Sequence, residues 1–164
     1  MFCQYFKEPV RQHFESIFQE FLASGEPVYK NIDDLLIVKL IKEHPSSLTH
    51  WSKNGFDSFE WDETNINPFV HVLMHYVVEK LLKSEPSLNS PVKSFYTLRK
   101  RKFMKHHDIA HMLAQVIASN TFCEMRKECN FSKEKFYADL KKYSTWNRTR
   151  FWNHFNPEDL KDVT

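Results

Sequence analysis

Two short stretches hold histidines at a spacing that suits metal chemistry. One is Asn67-Pro68-Phe69-Val70-His71-Val72-Leu73-Met74-His75, and the other is His107-Asp108-Ile109-Ala110-His111. Residues four apart on a helix lie one above the other on a single face. Each stretch therefore presents a pair of imidazoles if it is helical, and two such helices running antiparallel would let four imidazoles converge on one point. Imidazole is the commonest protein metal ligand, because it offers a lone pair near neutral pH. The expectation is a transition-metal site with His71, His75, His107 and His111 as ligands. Neutral nitrogen ligands suit Zn, Fe, Ni, Cu or Co better than Mg or Ca, which prefer oxygen. Glu79 extends the stripe of His71 and His75 by one more turn, and Asp108 lies inside the second motif. A carboxylate from either would make Fe or Mn fit alongside Zn. Two Glu-x-x-His motifs are lacking, so the pattern is not that of a di-iron carboxylate bundle. Tyr96 and Gln115 are candidate partners behind the ligands, with His106 as a neighbour.

Other readings use the same residues differently. Core histidines are commonly satisfied by hydrogen bonds, and each unsatisfied buried polar group costs roughly 1–3 kcal/mol. The run Arg99, Lys100, Arg101 and Lys102, with Lys105 just beyond, is a compact basic patch. Trp146, Arg148, Arg150, Phe151 and Trp152 repeat the mixture of cations and aromatics near the C-terminus. Such mixtures bind phosphates and stack bases. The alternative function is therefore a nucleic-acid or protein binding module with structural histidines. A helix end carrying cations near its C-terminal dipole accounts for the basic run without any partner. No Ser-His-Asp, Cys-His, phosphate-loop or dinucleotide signature is present. Any catalysis would have to run through the metal, and no reaction is specified.

Helical elements must position these groups. The chain has 15 Phe, 6 Tyr and 4 Trp but only 2 Gly, which disfavours a hairpin-rich sheet. Apolar periodicity predicts helices over about 8–23, 32–43, 68–83, 91 onward, 103–122 and 133–143. Asn67 is a suitable N-cap, and Pro68 suits the first turn behind it. Residues 46–66 are the least regular. They read as a packed loop with at most one short helix, containing Trp51, Phe56, Phe59 and Trp61 among the acids Asp57, Glu60, Asp62 and Glu63. The expected architecture is all-α, a single-domain bundle of about five to six helices over 1–143. An extension of 144–164 follows, either docked as a short helix or mobile.

At 164 residues the chain can bury one sizeable core. A net charge of +2 indicates no particular partner. No apolar run approaches the roughly 18–20 residues that cross a bilayer, and no signal peptide is evident. The expectation is a cytoplasmic protein with no membrane partner. Cys3, Cys123 and Cys129 match no zinc spacing and read as thiols of a reducing compartment.

Taken in order, Ile41-Lys42-Glu43-His44-Pro45, the Asn67-Pro68-Phe69 element with His71 and His75, Tyr96, and His107-Asp108-x₂-His111 carry a resemblance. The set resembles a proteobacterial family catalogued as domain of unknown function eighteen-forty-one, over about Phe6 to Tyr143. That family shows EHPEY, then NPF-hydrophobic-H-x₃-H, then HEAEH. Asp108 and Ala110 stand here where the family has two glutamates. If the family uses a carboxylate there, Asp108 alone can supply it in this chain. The resemblance implies a shared fold and shared motif positions, and no activity.

Overall fold

The computed structural model describes residues 8–25, 30–55, 67–85, 90–125 and 130–155, with 122–125 as backbone only. Among these residues the chain is all-α, with eight helices: α1 (Glu8–Ser24), α2 (Ile32–Glu43), α3 (Pro45–Asn54), α4 (Pro68–Ser84), α5 (Pro91–Arg101), α6 (His106–Met125), α7 (Lys133–Ser144) and α8 (Arg148–Phe155). The chain divides into two compact units, Met1–Glu79 and Lys80–Thr164, and the division falls inside α4. None of the described helices is long and apolar enough to cross a membrane. Cys3, Cys129, the Cys123 side chain and the acids between Asp57 and Glu63 lie outside the described residues.

Eight helices replace the five to six expected, and the two additions have local causes. Pro45 reads in sequence as the stop of α2, but it also occupies the first turn of α3, where its missing N–H costs nothing. At the other end of the chain, Asn147 caps α8 by accepting a hydrogen bond from the Arg150 N–H at 2.7 Å. Phe151 of α8 is fully buried, so residues 148–155 dock as a helix.

In the first unit, α1 packs on α2 and α2 on α3. Phe14, Ile17 and Phe18 of α1 meet Leu36, Ile37, Leu40 and Ile41 of α2, Trp51 of α3, and Val72, Leu73 and Tyr76 of α4 in one core. Edge-on aromatic pairs hold the crossings. Phe14 meets Tyr76 at 5.3 Å and Phe69 at 5.8 Å between ring centres, and Phe18 meets Trp51 at 5.0 Å. Asn31 caps α2, and buried Asp34 joins its first turn to α1 through His13 at 3.0 Å. Burial raises the Asp34 pKa, but the Lys30 N–H and the His13 contact outweigh it and hold the carboxyl below its ordinary value.

In the second unit, α7 packs on α5 and α6. Val92 and Phe95 of α5, Ile109, Met112, Leu113 and Val116 of α6, Phe136, Leu140 and Tyr143 of α7, and Phe151 of α8 are among its buried side chains. Ser90 and Ser132 cap α5 and α7.

The turn from α5 to α6 departs from the expected helix start at 103. Phe103 N–H donates to Lys100 O at 3.0 Å and Met104 N–H to Arg99 O at 3.4 Å. That is the six-to-one and five-to-two pattern of a Schellman motif, and it places Phe103 at a φ of 60°. Glycine suits this left-handed position, which costs a side chain about 1–2 kcal/mol. The Phe103 ring is 97% exposed and contributes nothing to the core in return. Phe103→Gly should therefore raise stability by about 1 kcal/mol, read as an increase of roughly 2–4 °C in melting temperature. A lowered melting temperature would contradict this account of the turn.

Candidate metal centre

The register of α4 is set by the residue just before it. Asn67 Oδ1 accepts from the N–H groups of Phe69 at 2.9 Å and Val70 at 3.2 Å, and the Asn67 carbonyl accepts from His71 N–H at 2.9 Å. Val72, Leu73 and Tyr76 turn into the core. His71 and His75 then fall on successive turns of one face. Their rings stack at 5.1 Å with planes 20° apart, and their Nε2 atoms are 3.2 Å apart.

A third imidazole joins them. His44 is at once the C-cap residue of α2 and the residue before α3, and Pro45 keeps its backbone out of the helical region. Its ring lies 4.9 Å from that of His71 and 4.5 Å from that of His75. His44 and His75 are buried and His71 is half-buried. His44 Nδ1 is 2.6 Å from the Leu40 carbonyl oxygen. A carbonyl only accepts, so Nδ1 carries the hydrogen and Nε2 is the lone-pair nitrogen of the neutral ring. A backbone carbonyl behind the imidazole is the usual device that fixes the tautomer and orientation of a metal ligand.

Distances separate what this set can do. With metal–nitrogen bonds of about 2.0–2.1 Å, two ligand nitrogens lie about 3.0 Å apart at a right angle and about 3.4 Å apart at a tetrahedral angle. The His71–His75 separation falls between these values. The same separation also suits one N–H···N hydrogen bond.

In the second unit, His107 and His111 sit in the first half of α6, with ring centres 4.4 Å apart and planes at 51°. His107 is exposed and His111 half-buried. Asp108 Oδ1 is 3.7 Å from Arg148 Nη2 of α8. Tyr96, a candidate partner behind the ligands, places its hydroxyl 2.9 Å from His106 Nδ1. Gln115 is half-buried one turn beyond His111, and Glu79 is half-buried one turn beyond His75.

The basic run divides between an inward Arg99 and four outward cations. Arg99 is 1% exposed, with its guanidinium over the Phe95 ring at 5.2 Å. It donates from Nη2 to the Tyr143 carbonyl at 2.7 Å, and burial lowers its pKa. Lys100, Arg101, Lys102 and Lys105 are exposed. The sequence-based ligand set omits His44, although the block containing it, Glu43-His44-Pro45, is part of the family resemblance.

The class these features define is an all-helical protein with histidines clustered within each of its two units. Residues 7–142 match the model of the DUF1841 family, described as a domain of unknown function, and the chain belongs to that family. His44, His71, His75, His107 and His111 all lie inside the match, whereas α8 lies beyond it. No curated protein matches the chain. No solved structure matches it either.

Long-range ¹H–¹⁵N correlation spectra of the metal-free protein near pH 7.5 should show His44 as the Nδ1–H tautomer. A His44 ring protonated on Nε2 alone would contradict the orientation given to it here.

Proposed function

We propose that the protein binds a transition metal ion through imidazole nitrogens. His44, His71 and His75 are the ligands of the first unit, and His107 and His111 those of the second. The observation that carries this reading is the approach of His71 Nε2 and His75 Nε2 beside a His44 ring whose Nδ1 is held by the Leu40 carbonyl. Partly buried neutral nitrogens favour Zn²⁺, with Fe²⁺ and Mn²⁺ next if a carboxylate joins. Asp108 is engaged by Arg148, and Glu79 lies one helical turn beyond His75. Three imidazoles leave one position of a tetrahedral ion for water or another ligand. A metal-bound water would be acidic enough to act near neutral pH, so any catalysis would begin there.

The alternative of a structural hydrogen-bonded cluster predicts no response to metal. A metal held only by the native state stabilises it by about 2.7 kcal/mol when present at 100 times its Kd. That corresponds to roughly 5–11 °C for a chain of this length. Chelation of protein purified without a histidine tag should lower the melting temperature by such an amount, and Zn²⁺, Fe²⁺ or Mn²⁺ should restore it. Protons compete for ligating imidazoles, so the metal shift should fade as the pH falls below about 6.5. His75→Ala should diminish the shift, and the double change His107→Ala with His111→Ala should weaken metal binding. His154→Ala, on α8, should leave the shift intact. An undiminished shift in His75→Ala, or none in the wild type, defeats the proposal.

A further inference from the structure

The turn from α5 to α6 has an aromatic ring where its backbone favours glycine, and neither the core nor the turn uses that ring. Phe103 stands almost wholly in solvent at the apex, with exposed Lys100, Arg101, Lys102 and Lys105 around it in sequence. No acidic residue occurs between Glu85 and Asp108. An unused aromatic within a concentrated positive charge calls for an anionic partner that also has an apolar face.

Two contacts bring a second surface to the same end of this unit. Arg99, immediately before the basic run, is bonded to the Tyr143 carbonyl at the end of α7. Asp108, at the start of α6, faces Arg148 at the start of α8. The α5–α6 turn and the α7–α8 turn are thus neighbours. Just after Tyr143 lies an open pocket of about 440 Å³ lined by Trp146, Asn147, Thr149, Arg150, Asn153 and His154. The Arg150 guanidinium lies over the Trp146 ring at 4.5 Å, and Lys142 Nζ lies 5.3 Å from the same ring. A guanidinium over an indole, with amide and hydroxyl groups beside them, forms an open surface suited to a planar heterocycle with phosphate attached.

We propose that this end of the second unit binds single-stranded nucleic acid. Phe103 and Trp146 would stack bases, while the cations of the two turns meet the phosphates. The inference does not depend on metal binding. A lipid surface would also attract a protruding phenylalanine among lysines. The Arg150 guanidinium over the Trp146 ring, with the Asn147 and Asn153 amides beside it, favours a strand of bases over a bilayer.

The test uses the full chain with three probes: fluorescein-labelled 20-nucleotide oligouridine and oligothymidine, the matching duplex, and vesicles of phosphatidylglycerol with phosphatidylcholine. Binding is followed by anisotropy for the nucleic acids and by sedimentation for the vesicles. The single strands should bind at 50 mM salt and more tightly than the duplex. With about four phosphates neutralised, affinity should fall roughly 50-fold between 50 and 200 mM salt, from a slope of about −0.7 per contact. Phe103→Gly suits the backbone of the turn and removes only the ring. It should weaken binding by between about fivefold and a hundredfold, the range for loss of one stacked base. Arg150→Gln should weaken it independently. The proposal is overturned by absence of binding at 50 mM salt, by Phe103→Gly binding as the wild type does, or by Arg150→Gln leaving affinity unchanged. Vesicle binding that needs Phe103, in place of strand binding, overturns it in favour of a membrane surface.

Discussion

Two ring nitrogens 3.2 Å apart on consecutive turns of α4 are the contact on which the site depends. Nothing in the imidazoles alone sets that distance. It follows from helical spacing, from the Asn67 cap that fixes where the helix begins, and from Val72, Leu73 and Tyr76, which hold the neighbouring face in the core. The histidine pair is thus as rigid as the packing behind it. Rigidity of this kind matters for a metal ligand, because a preformed set does not spend binding energy on ordering itself.

The junction of α2 and α3 adds the third imidazole. His44 ends one helix and precedes the proline that starts the next, and the Leu40 carbonyl of the preceding turn orients its ring. One residue therefore serves both as a chain reversal and as a ligand candidate. The core contacts of α2 and α3, through Ile41 and Trp51, carry its position into the same apolar cluster that holds α4. Backbone geometry and site geometry share their supports, so a core substitution in this unit would disturb both.

The histidine pairs were legible because helical spacing is local, and Asn67-Pro68 marked the start of α4 without ambiguity. His44 was not legible as a site residue, because 27 positions separate it from His71 and only tertiary packing joins them. Pro45 both ends α2 and opens α3, so the short helix allowed within 46–66 begins at the proline itself. The tail holds too few periodic positions to choose between a docked helix and a mobile end, and the Asn147 cap with the buried Phe151 decides for the helix. Arg99 looked like one cation among four in sequence. The structure buries it at the ends of α5 and α7, where its charge meets the Tyr143 carbonyl. Composition does not separate a buried arginine from an exposed one, because burial depends on the helix face and on what packs against it.

Carboxylate placement bears on the kind of metal. Asp108 is within reach of Arg148, and the three rings brought together in the first unit offer nitrogen donors. X-ray absorption at the K-edge of the proposed metal, on protein purified without a tag, tests that environment most directly. The account predicts a first shell dominated by nitrogen at about 2.0–2.1 Å with the outer-shell scattering of imidazole, and loss of that scattering in His71→Ala. A sulfur shell at about 2.3 Å, an oxygen-only shell, or an unchanged spectrum in His71→Ala would contradict it.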